Sequence, residues 1–304
     1  MKRVLMFFPA DAALAATVAP TLQARLAPIA WRHFPDGESL VALDQSLDGT
    51  DVAILASLRD PDPLALPLRF AAQTAREFGA RSVGLIAPYL AYMRQDTRFH
   101  PGEAVSAPLF ARFLEETFDW LLTVDPHLHR FEQLQALYRI PTTHVSATTA
   151  VAAWIADAVP DAILIGPDSE SEQWVARIAV KAGVPYQVLR KQRQGDYDVR
   201  VSLPDAQAAA GRTPVLVDDI VSSGHTILET VVHLQRLVAS PPVLVAIHPV
   251  FAGDAYASLQ AAGLARIVSS DTIAHPSNAI PLGNEIGLAA SALMESSAVS
   301  RETP

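Results

Sequence analysis

Residues 214–226, Pro-Val-Leu-Val-Asp-Asp-Ile-Val-Ser-Ser-Gly-His-Thr, carry an apolar run straight into a polar turn and a helix start. Val215, Leu216 and Val217 read as a buried strand, and Asp218 and Asp219 stand at its end. Ser222, Ser223, Gly224, His225 and Thr226 then open a helix expected over 226–238. Backbone N–H groups and the dipole at such a helix start favour an anion. Paired carboxylates can accept hydrogen bonds from a sugar diol or help hold a metal. The combination predicts a site for a phosphorylated sugar. The plainer alternative is a strand-end acidic pair followed by ordinary turn chemistry.

Working outward, short apolar runs alternate with longer helical patterns along the chain. Strands are expected at 3–8, 52–57, 83–87, 120–124, 162–166, 185–190, 214–218, 243–248 and 266–269. Helices are expected at 10–27, 63–78, 104–117, 130–138, 148–157, 170–182, 226–238 and 254–262. That order predicts an α/β fold with parallel sheets covered by helices. Prolines at 88, 101, 126, 141, 160 and 167 fall where elements should stop. An echo of architecture suggests two similar halves: Val83–Ala87 leads to a helix near Ala104, and Ile163–Gly166 to one near Glu170. The boundary is expected near 142–148, which gives domains over 1–145 and 146–285 and a tail over 286–304. That tail can add a helix over 285–294 before a frayed end.

A chain of 304 residues suits two domains of about 150 residues each. No apolar run approaches the roughly 18 residues that span a bilayer, so no membrane partner is expected. The N-terminal Lys2–Phe8 stretch is too short for a secretory segment and reads as a first strand. The absence of cysteine excludes disulfides and thiolate metal sites and fits a cytoplasmic protein. A net charge of −9 argues against nonspecific nucleic-acid binding.

Other segments carry candidate chemistry. Tyr92-Met93-Arg94-Gln95-Asp96 lies in a loop between a strand and a helix; arginine can pair with phosphate or stack on a base. A solvated, self-paired loop is the alternative. Phe34-Pro35-Asp36-Gly37-Glu38 is a turn by composition, either a plain surface hairpin or an aromatic–carboxylate set for a base. His127 follows a strand at Asp125-Pro126, and Asp168 follows another at Pro167; strand ends of this kind build sites in parallel sheets. A carboxylate there suits Mg2+, which keeps waters and bridges to phosphates. Lys191 and Arg193 precede Gln194–Asp198, either a basic hairpin tip or a loop able to close on a phosphoryl group.

In order and spacing, these segments resemble the ribose-phosphate diphosphokinases of the type I phosphoribosyltransferase superfamily, over about residues 1–285. The matching motifs are Phe34–Glu38, Tyr92–Asp96, Val124–His127, Pro167-Asp168, Lys191-x-Arg193, Val217–Ile220 and the later Ile247–Phe251. The resemblance implies two similar phosphoribosyltransferase-type domains, each a mainly parallel sheet flanked by helices. It implies transfer of the diphosphoryl group of ATP to the 1-hydroxyl of ribose 5-phosphate, with Mg2+. Phe34, Asp36 and Glu38 would recognise adenine, usually in a neighbouring subunit's site, so that the protein is a homo-oligomer. Arg94, Gln95 and Asp96 would contact ATP. His127 and Asp168 would organise the metal and phosphates, with His127, Lys191 and Arg193 as the catalytic set. Asp218 and Asp219 would bind ribose hydroxyls, and Ser222–Thr226 the 5-phosphate. The chain departs from the common pattern at Ser222 and His225, across 169–174, and after Arg193. The alternative functions are a phosphoribosyltransferase and a catalytically silent regulatory homologue.

Overall fold

The computed structural model describes residues 2–43, 46–128, 131, 133–167, 171–189, 191–193, 199–201, 211–236 and 239–302. Its contacts divide the chain into two units, and each contains one six-stranded parallel sheet.

The first unit comprises residues 1–145, 272–274 and 283–304. Its strands are β1 (Arg3–Phe7), β2 (Arg25–Pro28), β3 (Ala30–His33), β4 (Ser39–Ala42), β5 (Asp51–Leu55), β6 (Ser82–Ala87), β7 (Leu121–Val124) and β8 (Thr142–Val145). Between them run α1 (Ala12–Leu22), α2 (Pro61–Glu77) and α3 (Ser106–Glu115). The sheet has the order β2-β1-β5-β6-β7-β8, while β3 and β4 form a separate antiparallel ribbon. Every residue of β5, β6 and β7 is buried, as expected of parallel strands covered on both faces.

Several expectations change. The helix foreseen over 10–27 ends at Leu22, because Gln23 takes a left-handed φ of 55° and turns the chain back into β2. In place of a helix over 130–138, the described residues hold one 3-10 turn, Leu134–Ala136. Among the described residues there, Leu134 and Tyr138 alone are deeply buried, too few for a helical face. Residues 142–145, expected to connect the halves, pair instead with β7 as the last strand of the sheet.

The C-terminal segment is α8, Gly283–Glu302, which packs on α1. Small residues make that approach possible. A Cβ at Gly283 would lie 2.0 Å from Thr17 Oγ1, and one at Gly287 2.8 Å from Thr21 Cβ. Ile286, Ala290, Leu293 and Met294 are buried alongside. Arg3 fastens the start of β1 to this helix through Ser291 Oγ (2.7 Å) and Glu295 (2.8 Å).

The second unit comprises residues 146–271 and 275–282. It contains α4 (Thr148–Ala158), β9 (Ala162–Gly166), α5 (Glu172–Ala182), β10 (Tyr186–Val188), β11 (Lys191–Arg193), β12 (Val199–Val201) and β13 (Thr213–Ile220). After these come α6 (His225–Gln235), β14 (Val243–His248), α7 (Ala255–Ala261), β15 (Arg266–Ser270) and β16 (Asn278–Ile280). The sheet order is β10-β9-β13-β14-β15-β16, and β11 pairs antiparallel with β12. Ile163, Leu216 and Leu244 from the sheet pack with Val231, Leu234 and Leu259 from the helices.

Strand order reverses between β9 and β13 in this unit, and between β1 and β5 in the first. Ligands of open α/β sheets bind outside the carboxyl ends at such a reversal. In the first unit that place is taken by the protein itself. Asp11 accepts the Ser57 N–H (3.3 Å), and the Ser57 hydroxyl donates to the Thr272 carbonyl (2.7 Å).

Asp11 is only 6 % exposed, and burial pushes its carboxyl up to about 7 against the opposing pull of the Ser57 N–H. An unfolded aspartate titrates near 3.9. Between about pH 4 and 7 the folded chain therefore holds a proton that the unfolded chain has released, and stability falls as pH rises. Asp11→Asn keeps an acceptor for Ser57 and removes the titration. It is expected to raise the stability of the first unit by about 2–4 kcal/mol at pH 8 and to change it little at pH 4. Denaturant unfolding at the two pH values checks this; equal effects at both would refute it.

Candidate active site

In the second unit the site grows from the end of β13. Asp218 pairs in register with Ala246 and Ile220 with His248, so β14 supports the acidic pair. Both aspartates are half-buried. The Asp219 N–H donates to Asp218 Oδ1 (3.0 Å), and the Ile220 N–H donates to Asp219 Oδ1 (2.8 Å). Local bonds thus fix the two carboxylates while part of each remains open to solvent.

The following turn is braced by the loop after β14. The Val221 N–H donates to the His248 carbonyl (3.1 Å), Phe251 N–H to the Val221 carbonyl (2.9 Å) and Ala252 N–H to the Ser222 carbonyl (3.1 Å). With these carbonyls tied down, the chain turns at Gly224 into α6. Gly224 has φ 73° and caps the helix. A Cβ there would meet Leu259 Cδ1 at 3.2 Å on a backbone that side chains rarely adopt, so glycine is required twice over. His225 starts the helix and is exposed; Ser222 and Thr226 are half-buried and Ser223 is exposed. The first N–H groups of α6 have no partners within the helix, which leaves donors for an anion.

β11 carries Lys191 and Arg193, with Lys191 paired to Val201 and Arg193 to Val199. The connecting residues 194–198 lie outside the described residues, as does Asp168 after β9.

In the first unit the candidate residues gather at the carboxyl ends of β6 and β7. Arg94 is exposed, Gln95 and Asp96 are half-buried, and His127 is half-buried beyond β7. Asp125, which turns the chain toward His127, has a left-handed φ of 30° and donates its N–H to the Val145 carbonyl (3.0 Å). Gln95 is held at both ends: its carbonyl accepts the Ala107 N–H (3.2 Å), and Oε1 accepts the Ser106 hydroxyl (3.0 Å). Its side-chain oxygen and its carbonyl are thus both engaged within the protein.

Phe34, Asp36 and Glu38 form the tip of the β3–β4 ribbon. The Phe34 N–H donates to the Glu38 carbonyl (2.8 Å), and Gly37 takes φ 93°. Asp36 Oδ1 accepts the Glu38 N–H (3.2 Å). Arg32 lies 4.8 Å from the centre of the Phe34 ring, which is 40 % exposed. The ribbon's base is anchored by Trp31, whose ring meets Phe8 edge-on at 5.7 Å. A tip with an exposed aromatic and two exposed carboxylates can stack on a base and accept hydrogen bonds from it.

Three supporting groups escaped the sequence reading: Ser106 behind Gln95, the Val250–Ala252 brace behind the turn, and Asp62, which accepts the Tyr92 hydroxyl. Only the Ile247–Phe251 motif gave any signal of them.

The β13–turn–α6 unit with its acidic strand end defines a phosphoribosyltransferase-type domain, and residues 143–261 match the phosphoribosyl transferase domain. Residues 4–117 match the N-terminal domain of ribose phosphate pyrophosphokinase. The chain is 34 % identical to a ribose-phosphate pyrophosphokinase of Methanopyrus kandleri over 85 % of its own length and 88 % of the relative's. It is 31 % identical to one of Methanothermobacter thermautotrophicus, over 86 % and 90 %. The fold matches the crystal structure of phosphoribosylpyrophosphate synthetase from Mycobacterium smegmatis with TM-score 0.83 at 24 % identity, covering 97 % of this chain and all of that one. The chain belongs to the ribose-phosphate pyrophosphokinase family.

Proposed function

We propose that this chain transfers the diphosphoryl group of ATP to the 1-hydroxyl of ribose 5-phosphate, giving phosphoribosyl diphosphate and AMP. One observation carries the reading. The second unit has an acidic strand end and a turn suited to a sugar phosphate, and the first unit carries an arginine–glutamine loop beyond the carboxyl end of β6. A phosphoribosyltransferase acting on phosphoribosyl diphosphate and a base has no use for that second set.

The sugar's 1-hydroxyl oxygen attacks the β-phosphorus in line and gives up its proton to water, the bond from the β-phosphorus to the α–β bridging oxygen breaks, and AMP leaves with that oxygen. Asp218 and Asp219 accept hydrogen bonds from the ribose hydroxyls and orient the attacking oxygen. The Ser222–Thr226 turn holds the 5-phosphate. Arg94 and the Gln95 amide hold the phosphates of ATP, and Phe34, Asp36 and Glu38 bind adenine. Lys191 and Arg193 stabilise charge on the transferring group. Positioning and charge neutralisation supply most of the acceleration.

Among the described residues no three His, Asp or Glu side chains form a cage for a metal ion. Mg2+ does not need one, since it keeps several waters and uses one or two protein ligands plus phosphate oxygens. His127 and Asp168, with hard oxygen from substrate, fit that demand. When bound, Mg2+ neutralises phosphate charge. The exposed ribbon tip suits a site completed by a second copy of the chain, so the active form is a homo-oligomer with adenine bound at the subunit interface. Among the described residues no helix is long and apolar enough to cross a membrane. The proposed setting is the cytoplasm.

The test is a product assay with purified protein, ATP and Mg2+ against ribose 5-phosphate and other sugar phosphates. AMP should appear with ribose 5-phosphate as acceptor; its absence would overturn the reading.

A further inference from the structure

We propose that Asp62 and Tyr92 are positioning residues for nucleotide binding: Asp62, through the Tyr92 hydroxyl, sets the shape of the loop that presents Arg94 and Gln95. The inference rests on the reading of Arg94 and Gln95 as ATP contacts.

Tyr92 has φ 63°, a left-handed conformation uncommon for any residue with a side chain and a marked outlier for a bulky one. Such a backbone persists only where its surroundings hold it there, and it concentrates at ligand clamps. Two contacts do so here. The Tyr92 hydroxyl donates to Asp62 Oδ1, and the ring packs on Phe110 with centroids 4.6 Å apart. Asp62 lies in the first turn of α2. The hydrogen bond to Asp62, with burial and the charge adding to it, pushes the Tyr92 hydroxyl up to about 12, so it remains a donor throughout the neutral range.

The loop is pinned before and after this residue as well. The Leu58 N–H donates to the Tyr89 carbonyl (3.0 Å), and Ser106 and Ala107 hold Gln95. Met93 is buried at 2 % exposure, while Arg94, next in the chain, is exposed. The turn at Tyr92 therefore decides which side of the loop Arg94 leaves from. Without the Asp62 anchor the backbone can relax toward commoner angles, and Arg94 loses its fixed exit.

Steady-state kinetics of the full chain test this with Tyr92→Phe, Asp62→Ala, Asp62→Asn and the double Asp62→Ala/Tyr92→Phe, beside Arg94→Ala as reference. Losing one charge-assisted hydrogen bond should raise the KM for ATP about fivefold. The KM for ribose 5-phosphate and the melting temperature should hold. The double variant should be no worse than either single, since both remove one bond. Asp62→Asn, which keeps a carbonyl acceptor, should recover most of the loss. Unchanged KM for ATP in both single variants would overturn the proposal. So would additive effects, or equal rises in both KM values with a lowered melting temperature. If Arg94→Ala leaves the KM for ATP untouched, the ATP reading of the loop fails and this proposal with it. If Arg94→Ala raises it and the Tyr92 and Asp62 variants do not, only the positioning role fails.

Discussion

Lys191→Ala is expected to lower kcat about a thousandfold, in line with the loss of a charge-stabilising donor in a transition state. Negative charge develops on the α–β bridging oxygen only as its bond to the β-phosphorus breaks. A cation aimed at that charge lowers the barrier without tightening ground-state binding. The KM values for ATP and ribose 5-phosphate should therefore move little, and equilibrium binding of both should survive. Lys191→Arg should restore only part of the rate, because a planar fork does not replace a compact ammonium. Lys191 lies on the short β11–β12 ribbon, outside both six-stranded sheets, so the melting temperature should hold. A variant that keeps kcat within a few-fold of the parent would remove Lys191 from the chemistry. A variant that loses binding in proportion would make it a ground-state contact.

The largest loss of stability is expected at Gly84. It sits in β6, between β5 and β7, where every strand residue is buried. The Trp120 indole lies directly against it: an added Cβ would stand 1.8 Å from Cε2 and 2.1 Å from Cδ2. Trp120 is itself fully buried, so neither ring nor strand has free space to move into. Overpacked cores cost about 1–3 kcal/mol and sometimes more, and this overlap is severe enough for the upper end. Gly84→Ala should lower the melting temperature of the first unit by about 10 °C, taking 2–4 °C per kcal/mol. The indole N–H has no hydrogen-bond partner among the described residues, so Trp120→Leu sacrifices packing alone. In the Gly84→Ala background that second change should recover part of the loss, a coupling that a double-mutant cycle reads directly. An alanine variant that melts with the parent would show that the ring does not pack there.

How much was legible depended on how local each feature is. β13 and its turn could be read because an apolar run, two carboxylates and a Ser-Ser-Gly turn are contiguous. The Phe34–Glu38 hairpin was readable for the same reason, with Gly37 adopting the positive φ that Asp-Gly suggests. β8 was missed because Thr142–Val145 has a mixed polar pattern and becomes a strand by pairing with β7. β2 was absorbed into a helix because Leu26 and Ala27 continue the apolar pattern of α1, although Gln23 turns the chain before them.

The supports of the candidate site were not legible at all. Asp62 and Tyr92 are 30 residues apart, and Ser106 and Gln95 are 11 apart. No periodicity links such pairs. Sequence alone determined the α/β class, which follows from apolar period and local turn residues, while the paired domains and the roles of the loops came from an architectural echo and the family resemblance of the motifs. Only the tertiary structure decided that residues 283–302 join the first unit, that Asp11 and Thr272 take up its strand-reversal point, and that Tyr92 is held left-handed. Each of those rests on contact between residues distant in the chain, and packing of that kind leaves no periodic mark in sequence.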